Sequence, residues 1–411
     1  MASSRTRNPM TPLERRATSS LAAIMALRML GLFLMLPVLA LYAEDLRGHT
    51  PFLVGLAMGI YGLTQALLQI PFAMASDRLG RKQVIVTGLL IFAVGSAVAA
   101  LAHTIEGVII GRAIQGAGAV SAAVIALVAD LTRDEQRTKA MAFIGISIGS
   151  SFIIAMLVAP PLQGIIGVPG IFWATGGLAL GGIVLLLLAV PAPQRFTPAT
   201  TPVADLMRML RNPRLRRFDL GIFTLHATMT AVFLMVPTLL KEHAGLAIHN
   251  QWKVLLPAMV LSVFIMLPLV YVAERYRKIP TVFPIAIVLI IVSQGLMYFG
   301  RDSAVDLTIG MMVFFGGFNV LEALLPSLVS RAAPPESKGA AMGVYNSSQF
   351  IGVFVGGAVG GWLFGTWGAE GVVIGAVAVL ALWLLLTVMG SIPLLPENPG
   401  ASTPGAREAE S

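Results

Sequence analysis

The 411-residue chain is 56% hydrophobic and 12% charged, about half the charged share of an average soluble domain, which excludes an ordinary water-soluble globule. A nucleic-acid partner would need the net charge of +8 spread over a water-facing surface, whereas here the basic residues sit in short clusters between apolar runs. Cysteine is absent and histidine occurs five times, which removes disulfide frameworks, thiolate metal sites and cysteine nucleophiles.

Twelve stretches have the length of about 20 mostly apolar residues that a helix needs to cross hydrocarbon. In chain order they run over 20–42, 51–75, 83–102, 105–130, 138–165, 168–190, 218–241, 251–273, 280–299, 304–331, 337–365 and 368–390. Their apolar residues are continuous rather than alternating, so the spans are helices and not barrel strands. The first follows Arg15 and Arg16 as a signal peptide would, but it is too long for one and eleven more come after it. With the N-terminus inside, cytoplasmic segments hold 22 of the 28 Lys and Arg and the outer loops hold four: Arg47, Lys241, Lys253 and Arg301. Because cytoplasmic loops carry the excess of positive charge, both termini are expected on that side. The remaining two, Arg28 and Arg112, fall inside spans.

The expected organisation is a cytoplasmic segment over 1–19, a six-helix bundle over 20–190, a linker over 191–217, a second six-helix bundle over 218–390 and a flexible cytoplasmic tail over 391–411. The linker is rich in proline and arginine, the composition of a connection rather than a core. The halves also repeat. Glu135, Arg137, Ala140 and Met141 recur 201 positions later as Glu336, Lys338, Ala341 and Met342; Gly164 recurs as Gly365, and Pro37 has a counterpart in Pro237. Duplicated halves about a central pathway are a common plan for secondary transporters. The fold class is therefore an all-α membrane protein of twelve helices in two six-helix bundles with pseudo-two-fold symmetry.

The loop after the second span reads Asp77, Arg78, Leu79, Gly80, Arg81, Lys82, and a degenerate copy, Glu274, Arg275, Tyr276, Arg277, Lys278, follows the eighth. A positive-inside cluster explains the bases but not Asp77 and Gly80. The loop resembles the signature of the major facilitator superfamily (MFS). Arg112, Gln115, Gly116, Gly118 and Ala119 in span four are similar to that family's second motif, in which an intramembrane arginine is implicated in proton handling. Span five carries Ala155, Ala159, Pro160 and Gly164, similar to the antiporter motif but with alanine for two glycines and Gln163 for another; Ala73 likewise replaces a glycine before the loop. Arg28-Met-Leu-Gly-Leu-Phe, Tyr61-Gly-Leu-Thr-Gln, Glu322-Ala-Leu-Leu-Pro-Ser-Leu and Ala341-Met-Gly-Val-Tyr resemble the YajR-type branch, proton-linked inner-membrane exporters related to drug efflux pumps. The resemblance covers about 20–390. Some members of that branch carry a further small cytoplasmic domain after the last span, and only 21 residues follow Gly390 here.

The resemblance implies that Arg81 bridges Asp77 and Asp130 in a charge network that holds the outward-open state, with Asp77 near the start of span eleven, whose helix N-terminus carries partial positive charge. Other expectations come from the residues. A charge in hydrocarbon costs at least ~2.5 kcal/mol, so it faces a cavity or a partner. Arg28 keeps its proton and can hold an anion or a carboxylate. Glu322 can titrate, since a carboxyl removed from water holds its proton more readily; it is the first candidate for protonation, with a structural hydrogen bond as the alternative. His226 titrates in the physiological range or is simply packed and bonded. Tyr61, Gln65, Gln69, Thr224, Thr228 and Thr230 either line the pathway or bond neighbouring helices. Gly352, Gly356 and Gly360 form a small-residue row for close helix packing.

Gly145-Ile-Ser-Ile-Gly149 matches a serine-hydrolase elbow but lies within an apolar helix, and no phosphate-binding lysine loop occurs. The chain is therefore expected to be no enzyme and to need neither cofactor nor metal, the proton gradient supplying the energy. The leading expectation is a monomeric, multi-pass proton-coupled antiporter of the bacterial inner membrane, exporting a small drug-like or lipophilic molecule. A proton symporter or facilitator for a sugar or other nutrient, and a membrane sensor without transport, are the alternatives.

Overall fold

Backbone groups in hydrocarbon have no water to bond, so each apolar run closes its own hydrogen bonds as a helix. The computed structural model describes residues 9–191, 203–334 and 337–389; residues 192–202 of the linker, the tail and Glu336 of the repeat lie outside the described residues. Span one is Pro12–Phe33 continued by Leu39–Ala43, span two Pro51–Leu79 and span three Arg81–Ala100. Span four is Ile105–Ala117 with Ser121–Leu131. Asp134–Ala189 contains spans five and six, and Val203–Arg211 is a short linker helix. Span seven is Pro213–Glu242, span eight Trp252–Arg275, span nine Ile279–Phe299 and span ten Ala304–Ala332. Lys338–Met389 contains spans eleven and twelve.

The two long helices are hairpins. Gly167 (φ 69°, ψ 172°) divides the first and Gly368 (φ 63°, ψ −152°) the second, both in a backbone region open essentially to glycine alone. They stand 201 positions apart, the offset of the sequence repeat, so the duplication extends to the turns.

Two of the expected continuous spans are broken. Span one loses its helix over Leu34–Val38, where Pro37 has no N–H to donate and its ring crowds the preceding turn. Its counterpart Pro237 stays within a continuous helix. Span four breaks over 118–120, at the glycine-rich second motif.

Packing divides unevenly. One apolar core, including Leu21, Ile85, Leu127 and Leu186, belongs to the first half alone, toward the end that carries the Asp77 loop. We call this the basic end. The second core merges the rest of the first half, from Leu34 to Phe172, with the whole second half. At the opposite end Lys241 Nζ meets Glu44 Oε2 at 3.2 Å, and a side chain at Gly164 of span five would touch His249, just before span eight. Spans two and eleven cross at near-backbone contact, Gly55 facing Gly357 and Gly59 facing Phe354. That crossing runs from Pro51 against Gly361 to Gln69, which donates to Ser347 Oγ. Beyond it Lys338 and Gly339 at the start of span eleven are exposed, and nothing lies within 4 Å of a side chain placed at Gly339. The halves are closed at the opposite end and part toward the basic end.

Candidate functional site: buried charge in two halves

The Asp77 loop owes its shape to Gly80, whose φ of 101° is a left-handed value that turns span two directly into span three. The turn brings Arg81 back over the end of span two. Its guanidinium pairs with Asp77 and, at 3.1 Å, with Asp130 of span four, and donates to Ser76 Oγ at 2.7 Å. Arg81 is buried, with 4% exposure, so this is a partly desolvated three-charge network and stronger than an exposed pair. Lys82 donates to the Val190 carbonyl, and Arg78 is exposed. Asp77, Asp130 and Ser76 all lie in the first half, and among the described residues Asp77 pairs with Arg81.

Deeper in the first half, Arg28 donates from Nη1 to Ser121 Oγ at 2.7 Å. Its Nη2 donates to Tyr61 Oη at 2.8 Å, Gln65 Oε1 at 2.6 Å and the Gly118 carbonyl at 3.4 Å. Gly118 and Ser121 flank the break in span four, where an interrupted helix frees a carbonyl that protein rather than lipid then satisfies. Arg112 lies 5.0 Å from the Tyr61 ring centre and donates to Gln115 Oε1 at 2.9 Å. Gln115 in turn donates to Ser96 Oγ at 2.8 Å. Gln65 therefore bonds within the arginine cluster, whereas Gln69 bonds across to span eleven.

In the second half, His226 is bonded on both nitrogens, Nδ1 to the Ile222 carbonyl at 3.3 Å and Nε2 to Gln349 Nε2 at 2.7 Å. With Nδ1 donating and Nε2 accepting from the amide, this fits a neutral ring. Thr230 caps the His226 carbonyl at 2.9 Å, and Thr224 and Thr228 are buried. Glu322 presents a buried Oε2 with no hydrogen-bond partner. Of the antiporter-like motif, Ala155, Ala159 and Pro160 are buried, the alanines within the core shared by the halves, and Gly164 faces His249.

The MFS family model matches residues 21–357 and 258–410. The chain belongs to the major facilitator superfamily. It is 44% identical over 378 residues to the inner membrane transport protein YajR of Escherichia coli K12, covering 91% of this chain and 83% of that protein. It is 26% identical to the multidrug resistance protein MdtH of Aeromonas salmonicida over 89% of this chain and 94% of that one. The crystal structure of a bacterial homologue of the human lysosomal transporter Spinster, in an inward-facing and occupied conformation, superposes with a TM-score of 0.76 over 92% of this chain and 96% of that chain at 14% identity. At that identity the likeness concerns the fold.

As a superfamily member the chain is a membrane transporter rather than an enzyme, and the unpaired groups in its interior acquire interest as transport machinery. Sequence reading missed two of them. Asp219 of span seven is buried with an unpartnered Oδ1, and Tyr345 of span eleven is buried with an unpartnered hydroxyl. Gln349 was likewise not singled out. Asp219 sits at the very edge of an apolar run, where a charge reads as interfacial; its one available signal was the absence of a basic residue one turn further into the helix to pair with it.

Proposed function

We propose that the protein is a proton-coupled antiporter of the bacterial inner membrane, with both termini cytoplasmic, exporting a small drug-like or lipophilic molecule by alternating access. The observation that carries this reading is the second half's set of unpartnered acids, Glu322, Asp219 and Tyr345, beside a first half that holds permanent cations. A buried carboxyl without a partner is stable when protonated and strained when ionised; coupling its proton to the rocking of the halves lets a gradient drive transport without a cofactor. Glu322 and Asp219 take and release the proton, and the unpartnered Tyr345 hydroxyl is a third polar group in the same half.

The Asp77–Arg81–Asp130 network is the conformational latch. In the arrangement described, the basic end is open and Arg81 holds Asp77 and Asp130 of its own half. Closing that end brings the start of span eleven toward Asp77. Export is supported by the likeness to MdtH, a multidrug resistance protein, and the apolar seam between the halves suits a lipophilic cargo.

The test is proton flux in sealed proteoliposomes during transport of any compound found in a toxic-compound screen of a deletion strain. Antiport predicts that inward proton movement accompanies outward movement of the compound, and that Glu322→Gln and Asp219→Asn remove the coupling. Proton movement in the same direction as the compound would replace this reading with symport, and flux indifferent to the gradient would replace it with facilitation.

A further inference from the structure

We propose that the first half holds a binding site for a small amphipathic organic anion, anchored on the Arg28 guanidinium with Gln65 and Tyr61 beside it. The proposal rests on the transporter reading above and names the class of compound that the chain recognises.

The argument is a count of donors and acceptors. A guanidinium offers five N–H groups and accepts nothing. Around Arg28 the acceptors are Ser121 Oγ, Tyr61 Oη, Gln65 Oε1 and the Gly118 carbonyl, all of them neutral. Arg28 Nε is buried with no partner, and so is Gln65 Nε2. Two orphan donors therefore stand in one cluster, joined by the 2.6 Å bond from Arg28 Nη2 to Gln65 Oε1. Buried donors are normally satisfied, and the group that would satisfy these is an acceptor that the protein does not provide.

Charge gives the same answer. Arg28 and Arg112 are each 1% exposed and share Tyr61 as a neighbour, yet among the described residues no carboxylate lies within ion-pair reach of either. Elsewhere the chain pairs its arginines with acids: Arg81 with Asp77 and Asp130, Arg133 with Glu14, and Arg331 with Glu274. A buried cation calls for a counter-charge. A carboxylate fits, because it brings the missing negative charge and can accept from the two unpartnered donors, Arg28 Nε and Gln65 Nε2. The second half's two unpartnered carboxyls, Asp219 on span seven and Glu322 on span ten, make no ion pair with either arginine.

Tyr61 also marks where the apolar part of the ligand goes. Its ring lies 6.5 Å from Phe350 of span eleven, and Gly62 beside it approaches Phe350 and Val353. The polar cluster thus abuts the aromatic seam between the halves, which continues nearby as Phe33 on Phe152 at 5.0 Å and Phe152 on Phe315 at 5.9 Å. An occupant with an oxyanion head and an apolar body satisfies both surfaces.

The test is thermal unfolding of the full chain in a neutral maltoside detergent with octanoate, octanol and octylammonium as matched probes. The expected result is stabilisation by octanoate alone, with Arg28→Gln weakening the octanoate response roughly tenfold or more and Arg28→Lys retaining part of it. Arg331→Gln, at a remote exposed pair, should respond as the wild type does. Equal stabilisation by octanol or octylammonium, no octanoate response in the wild type at millimolar concentration, or an unchanged response in Arg28→Gln would each overturn the proposal. If Arg28→Gln does not fold, the wild-type discrimination among the three probes still decides. A protein that binds octanoate but moves no protons in vesicles keeps this site and refutes the antiport reading.

Discussion

Asp219, Glu322 and Tyr345 place three unpartnered polar atoms in one half, and their effect should be separable from folding. Neutral isosteres remove the need to protonate, so Asp219→Asn and Glu322→Gln are expected to fold at least as stably as the wild type while losing gradient-driven transport. Substrate counterflow, which needs no net proton movement, should persist. Measuring both activities in the same vesicles checks this; loss of counterflow together with gradient-driven transport would count against a proton role. Glu14 gives a contrasting case. Its side chain is 5% exposed and bonds Arg133 Nε at 2.9 Å, while also bonding the Thr11 N–H at 2.7 Å. Arg133→Ala leaves a buried carboxylate with backbone donors alone, the N–H groups of Thr11 and of residue 133, so a loss of about 1–3 kcal/mol is expected, read as a lower unfolding temperature with transport intact at low temperature. The sequence disclosed Arg28, Arg112 and Glu322 because a charge amid apolar residues stands out. It did not disclose Asp219 or the orphan donors, because partnership across helices has no signature along the chain.

Glycine separates two kinds of helix position. At Gly59 an added Cβ would sit 2.7 Å from the Phe354 carbonyl, so Gly59→Ala should force spans two and eleven apart and reduce transport. At Gly149 nothing lies within 4 Å; Gly149→Ala should be neutral or stabilise by up to about 1 kcal/mol through helix propensity. Gly167→Ala and Gly368→Ala impose a side chain on a glycine-only conformation and should each lose about 1–3 kcal/mol. Parallel unfolding curves of the four variants test the distinction. The twelve spans were legible because hydrocarbon fixes helix length, and the small-residue row on span eleven announced close packing. The breaks in spans one and four were less so. Pro37 breaks its helix while Pro237 does not, so proline at matching places in the two halves has two outcomes that local sequence does not express.

At the scale of the molecule, the repeat with its 201-residue offset reaches from Glu135 and Glu336 to the hairpin glycines, so the two-fold plan was readable in advance. Which end stands open was not, because identical spans pack into either arrangement and the balance rests on a few contacts such as Gln69 with Ser347 and Lys241 with Glu44. The account as a whole depends on the halves rocking about the central seam. The absence of cysteine lets spin labels be placed without background at Gln83 and Gly339 on the basic end, and at His49 and Lys253 on the opposite end. All four positions are exposed. Electron–electron double resonance on these two pairs, as pH is varied, should show opposite changes: the basic-end distance shortens as the opposite-end distance lengthens. Distances that rise and fall together, or that stay fixed at both ends, would contradict it.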